Sequence, residues 1–288
     1  MKQRVITAAV LLTLLAVVVW QIYTPIFIIV ISVFSAIAAN EIMKCAKISN
    51  KFIQIFGTVV AFCLPYLSSA SILEPIVEHK VWYRVTNFVP LMVWLIAIIL
   101  IYFLAMLKDY AHTKFEDVAM AIVASIVVPM GFSIFGILRD KAGYGDQIGV
   151  YLIFYALICA LATDTGAQLG GMAFGKTKMS PNISPKKTVE GAACGIIFSI
   201  ILNAVAIVLY NKFALFELTR TQASVLMICA PFISFMGMMG DLTASVLKRN
   251  FGVKDFGKIF PGHGGVMDRF DSSLFTLPLV YCVATFIV

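Results

Sequence analysis

Nine long apolar runs decide what this chain can become. They fall at about 4–20, 24–40, 52–69, 86–107, 117–138, 148–174, 192–210, 222–247 and 272–288. A helix needs about 20 apolar residues, at about 1.5 Å of rise each, to cross a hydrocarbon core of roughly 30 Å. The runs are unbroken rather than alternating every second residue, which argues against an all-β reading. The reading is an all-α polytopic membrane protein with about nine transmembrane helices. Composition agrees: 61% of residues are hydrophobic and 13% charged, against about 45–50% and about 25% in soluble domains. The first run begins like a signal peptide, but no small-residue cleavage site follows cleanly, so it reads as a retained span.

The net charge of +7 does not point to nucleic acid, because the basic residues are scattered over short loops between apolar runs. Membrane lipid headgroups and phosphate-bearing ligands suit that scatter better. Sorting the loops alternately puts most of the 22 lysines and arginines on the side of the N-terminus, which makes that side cytoplasmic. Two polar segments, 175–190 and 248–271, then share the cytoplasmic face, as a site built from both would require. Residues 1–110 read as N-terminal transmembrane helices, and 111–288 as a C-terminal region carrying the chemistry. The six cysteines form no CxxC pair and mostly sit inside apolar runs, so a disulfide framework is not expected.

Two carboxylates stand where oil is expected: Asp164 in ICALATDTGAQLGG and Asp241 in FMGMMGDLTASVLKR. An ionisable group at membrane depth faces a partner or a water-filled cavity; a cap at the interface is the plainer alternative. Asp241, Ser245 and Lys248 follow at i, i+4 and i+7, so one helix face carries a carboxylate, a hydroxyl and an ammonium. Arg249 and a polar loop with Lys254, Asp255, Lys258, His263, Asp268, Arg269 and Asp271 come next. Hard oxygen ligands from separate segments suit Mg²⁺, which keeps waters and substrate phosphates around it. The neighbouring cations suit phosphate oxygens. No cysteine or second histidine stands near His263, so a zinc site is poorly supported. The glycines of PGHGG serve either a tight turn at positive φ or a close approach of backbone to phosphate. The other segment, FGKTKMSPNISPKKTVEG, reads as a basic loop whose Ser184, Lys186 and Lys187 stand over a helix start.

The stretch SVLKRNFGVKDFGKIFPGHGGVMDRFD, Ser245 to Asp271, resembles the signature of the phosphatidate cytidylyltransferases, also called CDP-diacylglycerol synthases. DTGA at Asp164 to Ala167 and FGK…SPKKT.EG from Phe174 to Gly191 also look like that family. The resemblance implies conversion of CTP and phosphatidic acid to CDP-diacylglycerol and pyrophosphate in an all-helical, often dimeric, membrane protein. It also implies Mg²⁺ dependence, a role for K⁺, and a site open to the cytoplasm of a bacterial inner membrane. Carried over by position, Asp241 and Asp268 fall on the family's metal-binding aspartates. Lys248, Ser245, His263 and Asp271 fall on other signature positions close to the chemistry. Asp164, Ser184, Lys186, Lys187, Arg249, Lys254, Asp255, Gly264, Gly265 and Arg269 fall on positions expected to bind substrate. The chain departs from the commoner pattern at Gln168, Met172 and Val189, where an aromatic, an arginine and a tryptophan are frequent.

The chemistry implied needs no side-chain nucleophile. A phosphate monoester is substantially ionised near neutrality and can attack the α-phosphorus of CTP directly, leaving positioning and charge neutralisation to the protein. Two alternatives stand beside this reading: an ion-coupled transporter using Asp164 and Asp241, and a CTP-dependent enzyme with another lipid acceptor.

Overall fold

The computed structural model describes residues 13, 16–69, 91–141, 147–215, 217–262 and 264–287. The expected run 4–20 lies mostly outside them, and so does His263. The described parts of the other eight runs fall on helix. Among the described residues, six helical stretches are long and apolar enough to cross a membrane. The chain divides into two compact units, one of residues 1–137 and 255–267, the other of residues 138–254 and 268–288.

The first unit is built on α1 (Pro25–Cys45), α2 (Lys51–Ser68), α3 (Leu91–Lys108) and α4 (Phe115–Ile122). A proline opens α1, where its missing N–H costs nothing. Asn50 starts α2 by accepting from the N–H groups of Phe52 and Ile53 at 3.0 and 3.3 Å, satisfying two donors that the helix leaves unpaired. In a membrane, helix pairs gain little from burying oil against oil, so interhelical hydrogen bonds and close packing carry the association. Here Ser35 Oγ donates to Ala61 O at 2.8 Å and Asn40 Nδ2 to Thr58 Oγ1 at 3.1 Å, joining α1 to α2. The run read as one span over 117–138 is helical throughout but contains a π turn, Val123–Val127, before α5 (Val128–Lys141). Pro129 follows that turn and lacks the N–H of a regular ladder, so the helix is already one bond short there.

In the second unit α6 (Gln147–Phe174), α7 (Val189–Phe213), α8 (Arg220–Asn250) and α10 (Ser273–Ile287) pack together, with the short turn of helix α9 (Met267–Phe270) leading into α10. Small residues let α6 and α7 cross closely. A Cβ on Gly170 would strike Cys194, and one on Gly195 would strike the carbonyl of Thr163. A buried polar knot ties three helices: Ser234 Oγ donates to Ser199 Oγ at 2.8 Å, and Asn203 Nδ2 reaches Ser199 O and Cys159 Sγ at 3.0 and 3.4 Å. Thr276 of α10 donates to Ala156 O at 3.0 Å, anchoring the last helix on α6. At 31 residues α8 is about 46 Å long, more than a bilayer core needs. Its surplus length carries Lys248 and Arg249 at its C-terminal end. By contrast α10 has 15 residues and is about 23 Å long, shorter than the run 272–288 suggested.

The segment expected to be a plain basic loop is a hairpin. Strands β1 (Lys178–Ser180) and β2 (Ser184–Thr188) pair antiparallel, with Ser180 opposite Ser184 and Lys178 opposite Thr188. Glu190, at the start of α7, closes its base by accepting from the N–H groups of Lys176 and Thr177 at 3.0 and 3.1 Å. Thr188 caps α7 through the N–H of Gly191 at 3.1 Å, so the strand runs directly into the helix.

Candidate active site

Four segments of the second unit bring charge to one place. Asp164 comes from α6, Lys187 from β2, Asp241 and Lys248 from one face of α8, and Asp268 and Asp271 from the turn before α10. Lys187 Nζ lies 2.5 Å from Asp241 Oδ2, and Lys248 Nζ lies 2.8 Å from Asp268 Oδ1. Ser272 Oγ donates to Asp164 Oδ2 at 3.0 Å, and the Ser272 N–H donates to Asp271 Oδ1 at 2.8 Å. Asp164 also lies within electrostatic reach of Asp241, Lys187 and Arg269.

Local structure explains each placement. The seven-residue step from Asp241 to Lys248 is two helical turns, so both project from the same face of α8. Side chains alternate along a strand. Lys187 is accordingly half-buried and reaches Asp241, whereas Lys186 is exposed. Asp164 is carried by the part of α6 that the glycine contacts press against α7. Ser272 was not singled out in the sequence. Its one signal there was position, next to Asp271 at the start of an apolar run.

Acid exceeds base in the cluster. Asp164, Asp241, Asp268 and Asp271 face Lys187, Lys248 and Arg269, leaving one negative charge in excess when all are ionised. Asp268 and Asp271 are both buried. Burial, reinforced by Asp241 and Asp164, pushes the Asp271 carboxyl up to about 7, with Lys248 and the Ser272 N–H pulling the other way. Such a site favours an added cation. Among the described residues, no three His, Cys, Asp or Glu side chains gather closely enough to hold an ion by themselves. Mg²⁺ is commonly held by one or two carboxylates, with waters and substrate phosphates completing its octahedron. The donor set, all carboxylate oxygen, fits it.

The remaining candidates are distributed as follows. Ser245 is half-buried on α8 between Asp241 and Lys248. Arg249, Lys254, Asp255 and Arg269 are exposed, and Ser184 is half-buried at the start of β2. Asp255, Gly264 and Gly265 belong to the segment 255–267 of the first unit. There, Gly262 and Gly264 adopt φ values of 78° and 88°, and the Phe260 N–H donates to Gly264 O at 2.9 Å. A tight turn at positive φ is therefore what these two glycines provide locally.

With that arrangement in view, comparison with known proteins places the chain. A family model described as "Cytidylyltransferase family" matches residues 2–287. The phosphatidate cytidylyltransferase of Bacillus subtilis (strain 168) is 34% identical over 283 residues, covering 98% of this chain and 96% of that protein. The phosphatidate cytidylyltransferase of Staphylococcus aureus (strain COL) is 31% identical over 275 residues, covering 93% and 96%. That of Staphylococcus haemolyticus (strain JCSC1435) is 40% identical over 167 residues, covering 58% and 59%. The chain belongs to the cytidylyltransferase family.

Proposed function

We propose that this integral membrane protein transfers a cytidylyl group from CTP to phosphatidic acid, giving CDP-diacylglycerol and pyrophosphate. Two lysine–aspartate pairs, Lys187 with Asp241 and Lys248 with Asp268, carry the reading: they put phosphate-binding cations and hard oxygen donors side by side. The names of the relatives support the substrates. An ionised oxygen of the lipid phosphate attacks the α-phosphorus of CTP, a new P–O bond forms, and the bond to the bridging oxygen of pyrophosphate breaks.

The protein's part is placement and charge. Asp241 and Asp268 would hold Mg²⁺, which when bound neutralises phosphate charge and eases departure of pyrophosphate. Lys187 and Lys248, now paired with carboxylates, would turn to phosphate oxygens when substrates bind. Arg249, Arg269 and Lys254, all exposed, offer further phosphate contacts, as do Ser184 and Lys186. Ser245 and Asp271 keep the inner side of the site polar, and Asp164, held by Ser272, orients the hairpin lysine. Asp255, His263, Gly264 and Gly265 shape the signature loop. Nine spans, a cytoplasmic N-terminus in a bacterial inner membrane, catalysis by region 111–288, a supporting K⁺ and a homodimer complete the proposal.

The test uses purified protein in detergent with CTP, phosphatidate and Mg²⁺. Formation of CDP-lipid that depends on Mg²⁺ is expected. Absence of CDP-lipid across varied lipid, Mg²⁺ and K⁺ conditions contradicts the reading, and solute flux in vesicles without CTP turnover would point to a transporter.

A further inference from the structure

Glu41 is a buried carboxylate in α1, 6% exposed, and no part of the chemistry above uses it. Its two oxygens are divided between neighbouring backbone donors. The Val266 N–H gives to Oε1 at 3.1 Å, and the Met267 N–H gives to Oε2 at 3.0 Å. Two glycines of the same loop close on the carboxylate: a Cβ added to Gly257 or to Gly265 would run into Oε1. One turn further along α1, Cys45 Sγ donates to the carbonyl of Phe256 at 3.2 Å. All of these residues belong to the first unit. The segment 255–267 is thus wrapped on the end of one helix, with the Glu41 carboxylate as its pin.

Met267 is bonded to Asp268 and opens the helical turn Met267–Phe270. The backbone from which Asp268 and Arg269 depart is therefore set, one peptide earlier, by Glu41. We propose that Glu41 is a positioning residue for the transfer reaction, acting through the signature loop and not through substrate. The geometry also gives Gly257 and Gly265 a role apart from phosphate, as the positions where backbone must approach a carboxylate. What the positioning is for rests on the reading under Proposed function; the pin itself does not.

Bonds from N–H to a carboxylate are charge-assisted, and Glu41→Gln keeps the shape while replacing one acceptor oxygen by a donor. One buried backbone N–H then faces another donor and loses its partner. The experiment compares wild type, Glu41→Gln and Gly265→Ala as full-length protein in detergent. Hydrogen exchange is followed peptide by peptide, alongside turnover of CTP and phosphatidate at varied Mg²⁺. Both variants are expected to speed exchange about tenfold at 264–268 and to leave α6, α7 and α8 unchanged. They are expected to lower kcat about a hundredfold, the scale of a small misplacement. The Mg²⁺ concentration for half-maximal rate should rise about tenfold, with KM for phosphatidate little changed. Unchanged exchange at 264–268 overturns the pin. Faster exchange through all helices reduces Glu41 to general packing and overturns the proposal too, as does normal kcat. If wild type makes no CDP-lipid, the proposed function fails by itself and the exchange data alone decide the pin. Should Glu41→Gln not fold, Gly265→Ala tests the same contact from the other side.

Discussion

Asp241 and Asp268 are each held by a lysine, so both carboxylates are already placed before any cation arrives. Asp241→Asn and Asp268→Asn each remove a hard anionic ligand while keeping shape and should lower kcat by about a hundredfold or more, with folding intact by gel filtration. Near-normal turnover in either variant removes that residue from the proposed metal site. Asp271 makes a separate prediction. Its pKa is raised to about 7, so between about pH 4 and that value the folded protein keeps a proton that the unfolded chain releases. Stability gained from that proton is therefore lost as pH rises through this window and levels off above it. Thermal unfolding in detergent without divalent cation should show the decline, and Asp271→Asn should flatten it. Parallel curves for wild type and variant would contradict the assignment.

The crossing of α6 and α7 is where elements become a site, because Thr163, whose carbonyl packs on Gly195, precedes Asp164 in the chain. Gly195→Leu overpacks that crossing and should cost about 1–3 kcal/mol, read as a lower unfolding midpoint together with reduced turnover. An unchanged midpoint would mean that the helices do not rely on this approach. The helices themselves were legible in the sequence, since a bilayer leaves long apolar runs one way to satisfy their backbone. The Asp241–Lys248 face was legible for a related reason: helical period converts sequence distance directly into geometry. The hairpin was not. Its strands are three and five residues long, carry one proline and three lysines, and lack an apolar alternation. What organises them is Glu190 and Thr188 at their base, which sequence spacing does not announce. The π turn before Pro129 was hidden inside a uniformly apolar run for the same lack of contrast.

Across the whole molecule, local patterns identified chemistry-bearing residues better than they paired them. Asp164, Asp241 and Asp268 stood out as acids in or beside oil, yet which lysine meets which aspartate is set by tertiary contact. Glu41 satisfies the same criterion as Asp164, an acid within an apolar helix, and its partners lie more than two hundred residues away. Glycines were the hardest to read, since one residue type serves turns at Gly262 and Gly264, helix crossing at Gly195, and contact with a carboxylate at Gly265. The central claim is that the nucleotide's α-phosphorus, and no other, moves to the lipid. Incubating the purified protein and phosphatidate with CTP labelled at the α- or the γ-phosphorus tests it most directly. Cytidylyl transfer puts α-label in the lipid fraction and γ-label in pyrophosphate; γ-label in lipid, or no labelled lipid from either, contradicts it.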